Sequence, residues 1–522
     1  MKWTTSVFFL WLTATASGQQ LNGGGEEAGA PDQTNLLFIL ADNQPASLLG
    51  VYGNPDIRTP NIDQLAAEGT RFTSAFAVNG MCSPTRATLM TGLMPSQHGV
   101  HNWLDDAKLR EWPQDWSAVR EFRTLPLTLG NRGYQTALIG KWHLGQPWQA
   151  SIGYQHWLTF SYGHTLDFWD NTIIDNEQTY PVNDQHIVDF FADQAVEYLR
   201  NVKSEQPFYL QLNLDGPYLN PPTNTGPARN RHYESYLGSD FESFPRVPVN
   251  PNLIEQLLDP ELPEFLRGMK LQSILHHNDP ESMANVASQN TIVDDAVGRV
   301  MAALREAGLD QNTLVIYSAD QGNFYGQHGL WHHTTATSPS NLYEAALNIP
   351  LIVRHLGSTP AGETRDVLIG QYDLPATILD YLGFGEVEFE GSPGRSFVGV
   401  LSGTSTDWLD EVYYEQEETR GVRTRDYAYW KRIDGVGGRE LYDMQRDLGQ
   451  HKNLIGDPQY REVVARLDER LTIFFGRYST PKYDLWAGGT AKGSVSRPGR
   501  FQDLYGEDWQ TVSESLPPFE EH

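Results

Sequence analysis

The chain is poor in cysteine and in positive charge. Its 522 residues hold one cysteine, Cys82, so no disulfide can form within the chain even in an oxidising compartment. Lys and Arg number 38 against 66 Asp and Glu, a formal net charge of -28. That balance argues against nucleic acid as a partner, because phosphate binding needs a cationic surface. An anionic small ligand stays possible, since a local basic pocket can override global charge and salt screens the field beyond about 10 Å. Beyond the N-terminus there is no run of about eighteen apolar residues, the length a membrane span needs, so no membrane anchor is expected. What is present is an apolar content of 39% with 14 tryptophans, enough for a sizeable core. The length exceeds what one compact domain usually needs, so a large domain with a smaller one is expected.

The N-terminus has the pattern of an export signal. Lys2 supplies a positive start, residues 7–12 a short apolar core, and Ala14, Ala16 and Gly18 the small residues of a cleavage region. Residues 1–18 are therefore expected to direct the protein to a secreted or periplasmic location. No cysteine stands near the cleavage region to carry a lipid. Residues 19–33 read as a Gly/Glu-rich leader.

The organisation is α/β. Four continuous apolar runs, residues 36–40, 136–139, 208–212 and 313–317, have the character of strands buried on both faces. Helical patterns intervene. One follows Thr59-Pro60 and stops at Gly69; another is expected from about Ala287 to Ala307, stopping at Gly308. Each apolar run ends in a polar cluster: Asp42-Asn43, Lys141-Trp142-His143, Asp215, and Asp320-Gln321. In open α/β sheets ligands sit at the carboxyl ends of the strands, so these clusters are expected to converge. Asp42-Asn43 and Asp320-Gln321 offer only oxygen donors, which suits a hard divalent cation and disfavours zinc. Each Asp could instead cap a turn; two matched pairs at corresponding strand ends favour metal.

Cys82 begins the run Cys82-Ser83-Pro84-Thr85-Arg86-Ala87-Thr88-Leu89-Met90-Thr91-Gly92. Cys82, Pro84 and Arg86 match Cys-x-Pro-x-Arg, and Gly140-Lys141-Trp142-His143-Leu144-Gly145 matches Gly-Lys-Trp-His-x-Gly. With these motifs the chain resembles the type I, formylglycine-dependent sulfatases of the alkaline phosphatase superfamily, and bacterial carbohydrate sulfatases among them. The resemblance extends over roughly residues 33–475. It includes residues 343–354, like the strand that closes the family's large domain, and residues 373–379, like its following helix. Residues 440–443 and 452–454 are similar to its small-domain ending.

The resemblance implies a large, mixed but mostly parallel sheet sandwiched by helices over residues 33–400. A smaller α+β domain would follow at 407–475, then a tail at 476–522 that matches no family element. It implies that a formylglycine-generating enzyme oxidises Cys82 to formylglycine. The hydrated aldehyde then attacks sulfur with one hydroxyl and expels sulfate by collapse of the other. Arg86 would return on a helical turn to fix that diol. Lys141 would hold a sulfate oxygen, and His143 would contact the nucleophile or the leaving oxygen. One Ca²⁺ would sit on Asp42, Asn43, the modified Cys82, Asp320 and Gln321. Gly163-His164-Thr165 resembles a loop at the substrate mouth, which makes His164 a substrate contact.

Two positions depart from the family pattern. Tyr218 stands where a histidine is common as leaving-group acid, and a phenol with a pKa near 10 is a weaker proton donor. His332-His333 stand at the family's later Gly-Lys, so His333 would carry that positive charge only when protonated, and an acid-shifted optimum is expected. The alternative assignment exchanges the roles, with His333 as acid and Tyr218 as binding group. Trp148, Trp157, Trp169 and Trp486 are candidate stacking faces for a sugar ring. The expected activity is hydrolysis of a sulfate ester on a sulfated poly- or oligosaccharide. The alternatives are a phosphonate monoester or phosphodiester hydrolase with the same nucleophile, and a carbohydrate-binding pseudoenzyme.

Overall fold

A computed structural model describes residues 33–105, 110–165, 167–202, 205–218, 229–260, 262, 264–513 and 516–520. The export signal expected at 1–18 lies outside them. Eleven strands form one sheet: β1 (Asn35–Asp42), β2 (Thr70–Phe76), β3 (Gln135–Gly140), β4 (His156–Phe160), β5 (Asn171–Asp175), β6 (Gln178–Val182), β7 (Phe208–Pro217), β8 (Thr313–Ala319), β9 (Asn348–Arg354), β10 (Glu363–Arg365) and β11 (Ile369–Gly370). Their order is β10-β2-β9-β8-β1-β7-β3-β4-β5-β6, with β11 paired to β2.

The four apolar runs are the four adjacent strands β8, β1, β7 and β3, all parallel. Leu37 pairs with Leu210 on one side and Val315 on the other. Every residue of β1, β7 and β8 is buried, which is why these strands read as unbroken apolar runs rather than alternating ones. The antiparallel strands β9 and β5 flank the parallel block.

One helix differs from expectation in its start and another in its cap. The helix expected from 287 runs Pro280–Glu306, because Asp279 caps it through Ser282 N–H and Pro280 occupies its first turn. Thr59 precedes the helix Pro60–Glu68 without capping it; its hydroxyl accepts from Gly50 N–H instead. The stretch 343–354 is not strand throughout, since Glu344–Leu347 forms a helical turn before β9. Helix Pro280–Glu306 packs on both Pro60–Glu68 and Ile187–Asn201, and these three, with Cys82–Thr91, Leu125–Asn131 and Asp373–Tyr381, flank the sheet.

A second sheet is antiparallel in chain order: β12 (Glu411–Gln416), β13 (Thr419–Thr424), β14 (Tyr427–Arg432) and β15 (Glu440–Asp443). Leu467, Leu471 and Phe475 of the helix Arg461–Arg477 close its core against Val422, Tyr429 and Leu441. The tail that follows has its own small nucleus of Leu485, Ala491, Val495, Phe501 and Trp509. Among the described residues no helix is long and apolar enough to cross a membrane.

Candidate active site and metal cradle

The carboxyl ends of β1, β3, β7 and β8 deliver Asp42, Lys141, Asp215 and Asp320 to one buried cluster, into which the helix Cys82–Thr91 brings Cys82 and Arg86. Gly140 makes the turn after β3 possible: its φ is 109°, and a Cβ there would lie 1.9 Å from Asn213 O. Arg86, one helical turn after Cys82, donates from Nε and Nη2 to Asp320 Oδ2 at 3.0 and 2.8 Å. Its Nη1 donates to Lys141 O at 3.0 Å, so one guanidinium ties the helix to two strand ends. Lys141 Nζ donates to Asp42 Oδ2, lies 3.7 Å from Asp215 Oδ1, and stands 4.7 Å over the Tyr218 ring.

Three buried carboxylates thus face two buried cations, and the protonation equilibria reflect it. Burial pushes the Asp42 and Asp320 carboxyls up, Asp320 to about 7, with the other carboxylates adding to the push and Lys141 and Arg86 opposing it. Burial opposes the charges of Lys141 and Arg86, but the surrounding acids outweigh it and hold both above their ordinary values.

Asp320 Oδ1 accepts the backbone N–H of Asn43 at 3.1 Å and of Gln321 at 2.8 Å, and the side-chain amides of Gln321 and Asn43 meet. Asp42 Oδ1 and Asn43 Nδ2 are buried without a hydrogen-bond partner. An orphaned carboxylate oxygen, an excess of one negative charge and an all-oxygen donor set of two carboxylates and two amides fit a hard divalent cation. Among the described residues no group of three His, Cys, Asp or Glu side chains forms a metal site by itself, consistent with a cradle half made of amides.

Cys82 Sγ lies 3.1 Å from His143 Nδ1, and His143 Nε2 lies 3.0 Å from Leu104 O. A carbonyl can only accept, so Nε2 carries the proton and Nδ1 presents its lone pair to residue 82. Burial pushes the Cys82 thiol up to about 12. It is therefore a thiol rather than a thiolate at neutral pH, and an unmodified sulfur here is a poor nucleophile.

Above this floor opens a cleft of about 390 Å³ lined by Cys82, His143, His164, Tyr218, His332 and His333, with Met81, Trp103, Glu264, Gly268, Met269 and Gln272 completing the walls. Clefts of about 410 and 490 Å³ lie elsewhere, beside Arg439 and Arg500, but neither holds any of the clustered groups. His164 stacks on Tyr218 with centroids 5.9 Å apart and stands 5.7 Å from His143. Its loop is tied to the floor because Thr165 N–H donates to Asp215 Oδ2 at 3.1 Å.

Apart from the four tryptophans, every site residue singled out in the sequence lies in this cluster or on its cleft, and two readings change. Burial pushes His333 down to about 4, with Asp320 only partly offsetting it, so it is neutral where a charge near pH 6.5 was expected. The four candidate stacking tryptophans are not in the cleft: Trp157 is wholly buried, Trp169 packs on His186, Trp486 lies under Arg420, and Trp148 is exposed elsewhere. Trp103 is the tryptophan of the cleft wall, and nothing in its local sequence marks it. Asp215 also gained no role from sequence, although it ends the third apolar run as Asp42 ends the first.

The sulfatase family profile matches residues 34–384, and the profile of the N-sulphoglucosamine sulphohydrolase C-terminal region matches residues 327–474. The chain belongs to the sulfatase family and is a sulfuric ester hydrolase. It is 26% identical to the N-acetylglucosamine-6-O-sulfatase of Bacteroides thetaiotaomicron over 90% of this chain and 91% of that one. A solved structure of a protein with its substrate D-glucosamine-2-N,6-O-disulfate superposes with a TM-score of 0.65 at 24% identity, covering 85% of this chain and 98% of that one. The phosphonate monoester hydrolase of Agrobacterium radiobacter shares the fold with a TM-score of 0.64 at 19% identity, over 85% of this chain and 96% of that one.

Proposed function

We propose that this enzyme hydrolyses a sulfate ester on a sulfated poly- or oligosaccharide of the glycosaminoglycan kind, using formylglycine made from Cys82 and one Ca²⁺. The observation that carries the reading is the position of Cys82: a buried, un-ionised thiol 3.1 Å from His143 Nδ1 and beside the Asp42, Arg86, Lys141 and Asp320 cluster. Substrate class rests on the named relative, an N-acetylglucosamine-6-O-sulfatase aligned over nine-tenths of the chain.

Formylglycine at position 82 would supply the hydroxyl that attacks sulfur and a second hydroxyl whose collapse releases sulfate. Asp42, Asn43, Asp320 and Gln321 would hold calcium, whose charge attracts the sulfate anion. Lys141, a buried cation held in place by Asp42 and Asp215, binds a sulfate oxygen on the cleft floor. Arg86 fixes the orientation of residue 82 by anchoring its helix to Asp320 and to Lys141 O. His143 Nδ1 accepts a proton from residue 82, because Leu104 O keeps the other ring nitrogen protonated. Neutral His333 donates or accepts a hydrogen bond instead of supplying charge. The proton for the leaving oxygen is drawn from the wall formed by Tyr218 and His164.

We place the mature enzyme in a secreted or periplasmic location, matured by a formylglycine-generating enzyme. The test is sulfate release, followed by ion chromatography, from 6-sulfated N-acetylglucosamine, glycosaminoglycan fragments, sulfated galactans and nitrophenyl sulfate, beside a phosphonate monoester. Release from a glycan supports the reading. Turnover of the phosphonate above every sulfate ester would assign the enzyme to the alternative chemistry. Binding without any turnover by protein carrying formylglycine would make it a pseudoenzyme.

A further inference from the structure

The tail after Arg477 lies outside both matched regions, and a group of its contacts falls on one short segment beside the nucleophile. Lys492 N–H donates to Gly99 O at 2.7 Å, and His101 Nε2 donates to Tyr483 O at 2.8 Å. Asn102 Nδ2 donates to Ser496 Oγ at 2.7 Å, and Ser494 Oγ donates to Trp103 O. Gly493, at a φ of 82°, is packed so closely that a Cβ would lie 2.4 Å from Leu104 Cδ2. The tail thus grips four of the five positions 99–103 by hydrogen bonds and then abuts Leu104.

Leu104 in turn faces the chemistry on both sides. Its N–H donates to Ser83 Oγ at 3.0 Å, next to Cys82, and its carbonyl accepts from His143 Nε2 at 3.0 Å. Trp103 lines the cleft. The small domain reinforces the same grip: the Glu417 carboxylate, at the tip of the β12–β13 hairpin, accepts from Asn102 Nδ2 and from Ser496 N–H. A tail serving only to cover surface would bury apolar groups against whatever lay beneath. Its apolar nucleus is its own, and its hydrogen bonds to the large domain, although some reach Ser96, Ala118, Glu121 and Ser338, fall most densely on this segment.

We propose that residues 480–512 are a positioning element of the active site, with Ser494 as its principal contact. The tail holds Leu104 O where it keeps His143 in the tautomer protonated at Nε2, and it holds Trp103 as the cleft wall against which the substrate ring packs. The catalytic part of this inference rests on the sulfatase reading; the tautomer part does not.

The experiment compares Ser494→Ala, which removes one hydroxyl and leaves the tail otherwise intact, with Ser494→Thr, which keeps it. Protein labelled with ¹⁵N-histidine reports the His143 ring, assigned by the signal lost in His143→Gln. In Ser494→Ala the His143 nitrogens should move from a single Nε2–H tautomer toward averaged values. Its kcat should fall by about tenfold, with a several-fold rise in KM on the preferred glycan, and Ser494→Thr should retain the wild-type signal and rate. A lower melting temperature in Ser494→Ala with unchanged His143 shifts, kcat and KM would overturn the inference and leave the tail a purely structural cover. Should the wild-type enzyme release no sulfate from any ester, the functional reading fails while the histidine spectra still decide the role of the tail.

Discussion

Lys141→Met separates the electrostatic load of the site from its chemistry. Lys141 is wholly buried, and its ammonium compensates Asp42 and Asp215, both themselves fully buried. At 3.7 Å and an effective dielectric of about 20, the Asp215 interaction alone is worth about 4 kcal/mol before desolvation is counted. Removing one partner of a buried ion pair costs about 3–5 kcal/mol, because the other charge stays buried and unpaired. Here two carboxylates lose their partner, so the upper end is expected. With about 2.1 cal/mol/K of unfolding entropy per residue over 522 residues, that corresponds to a melting temperature lower by roughly 3–5 °C. Measured by calorimetry in chelator, Lys141→Met should show this loss, and Asp215→Asn placed on top should recover about 1–3 kcal/mol of it. Activity should respond differently. Lys141→Met should lower kcat/KM by about 10²–10³-fold, as loss of one preorganised donor to a charged group does. Asp215→Asn should not restore it. A variant within 1 kcal/mol of wild type in chelator, or a double variant that regains turnover, would refute the assigned balance of charges.

Cys82→Ala and Cys82→Ser should each abolish turnover with the fold retained, and mass spectrometry of the peptide carrying residue 82 should find an aldehyde in active protein; full activity with unmodified cysteine contradicts this. Asp42→Ala and Asp320→Ala should each lower activity by several orders of magnitude. Chelation should do the same and calcium should reverse it, whereas metal-free protein of full activity by elemental analysis would reduce both acids to turn caps. His333 titrates at about 4 in the fold against about 6.5 unfolded, so the stability it contributes is complete above pH 6.5 and is lost as pH falls through 4. Between pH 7 and 4 the wild type should therefore lose about 3 kcal/mol relative to His333→Gln in denaturant titrations. Parallel pH curves for the two proteins would show that His333 is not held neutral.

Much of this molecule is written locally. Strands buried on both faces must be continuous apolar runs, and β1, β3, β7 and β8 are. Their polar terminations place Asp42, Lys141, Asp215 and Asp320 together, because parallel neighbours end on the same side. The helix Pro280–Glu306 was legible but started late in the sequence reading: its cap and proline lie upstream of the apolar pattern that advertises it. The tryptophans failed as indicators because the same side chain serves a core, a surface or a cleft, and only burial distinguishes them.

The sequence by itself determined the chemistry on offer: one oxidisable cysteine in its motif, two carboxylate–amide pairs, and a lysine and histidine one residue apart, each at a strand or helix end. Only the tertiary structure decided how those groups are paired and charged. Arg86 meets Asp320 across 234 positions, Lys141 meets Asp42 across 99, and Leu104 sets the His143 tautomer across 39. The same holds for the neutral state of His333, for Trp103 as the cleft wall and for the grip of the tail on that wall. Protonation and partner choice depend on which charges and how little water surround a group, and those surroundings are assembled from segments whose separation along the chain no local pattern encodes.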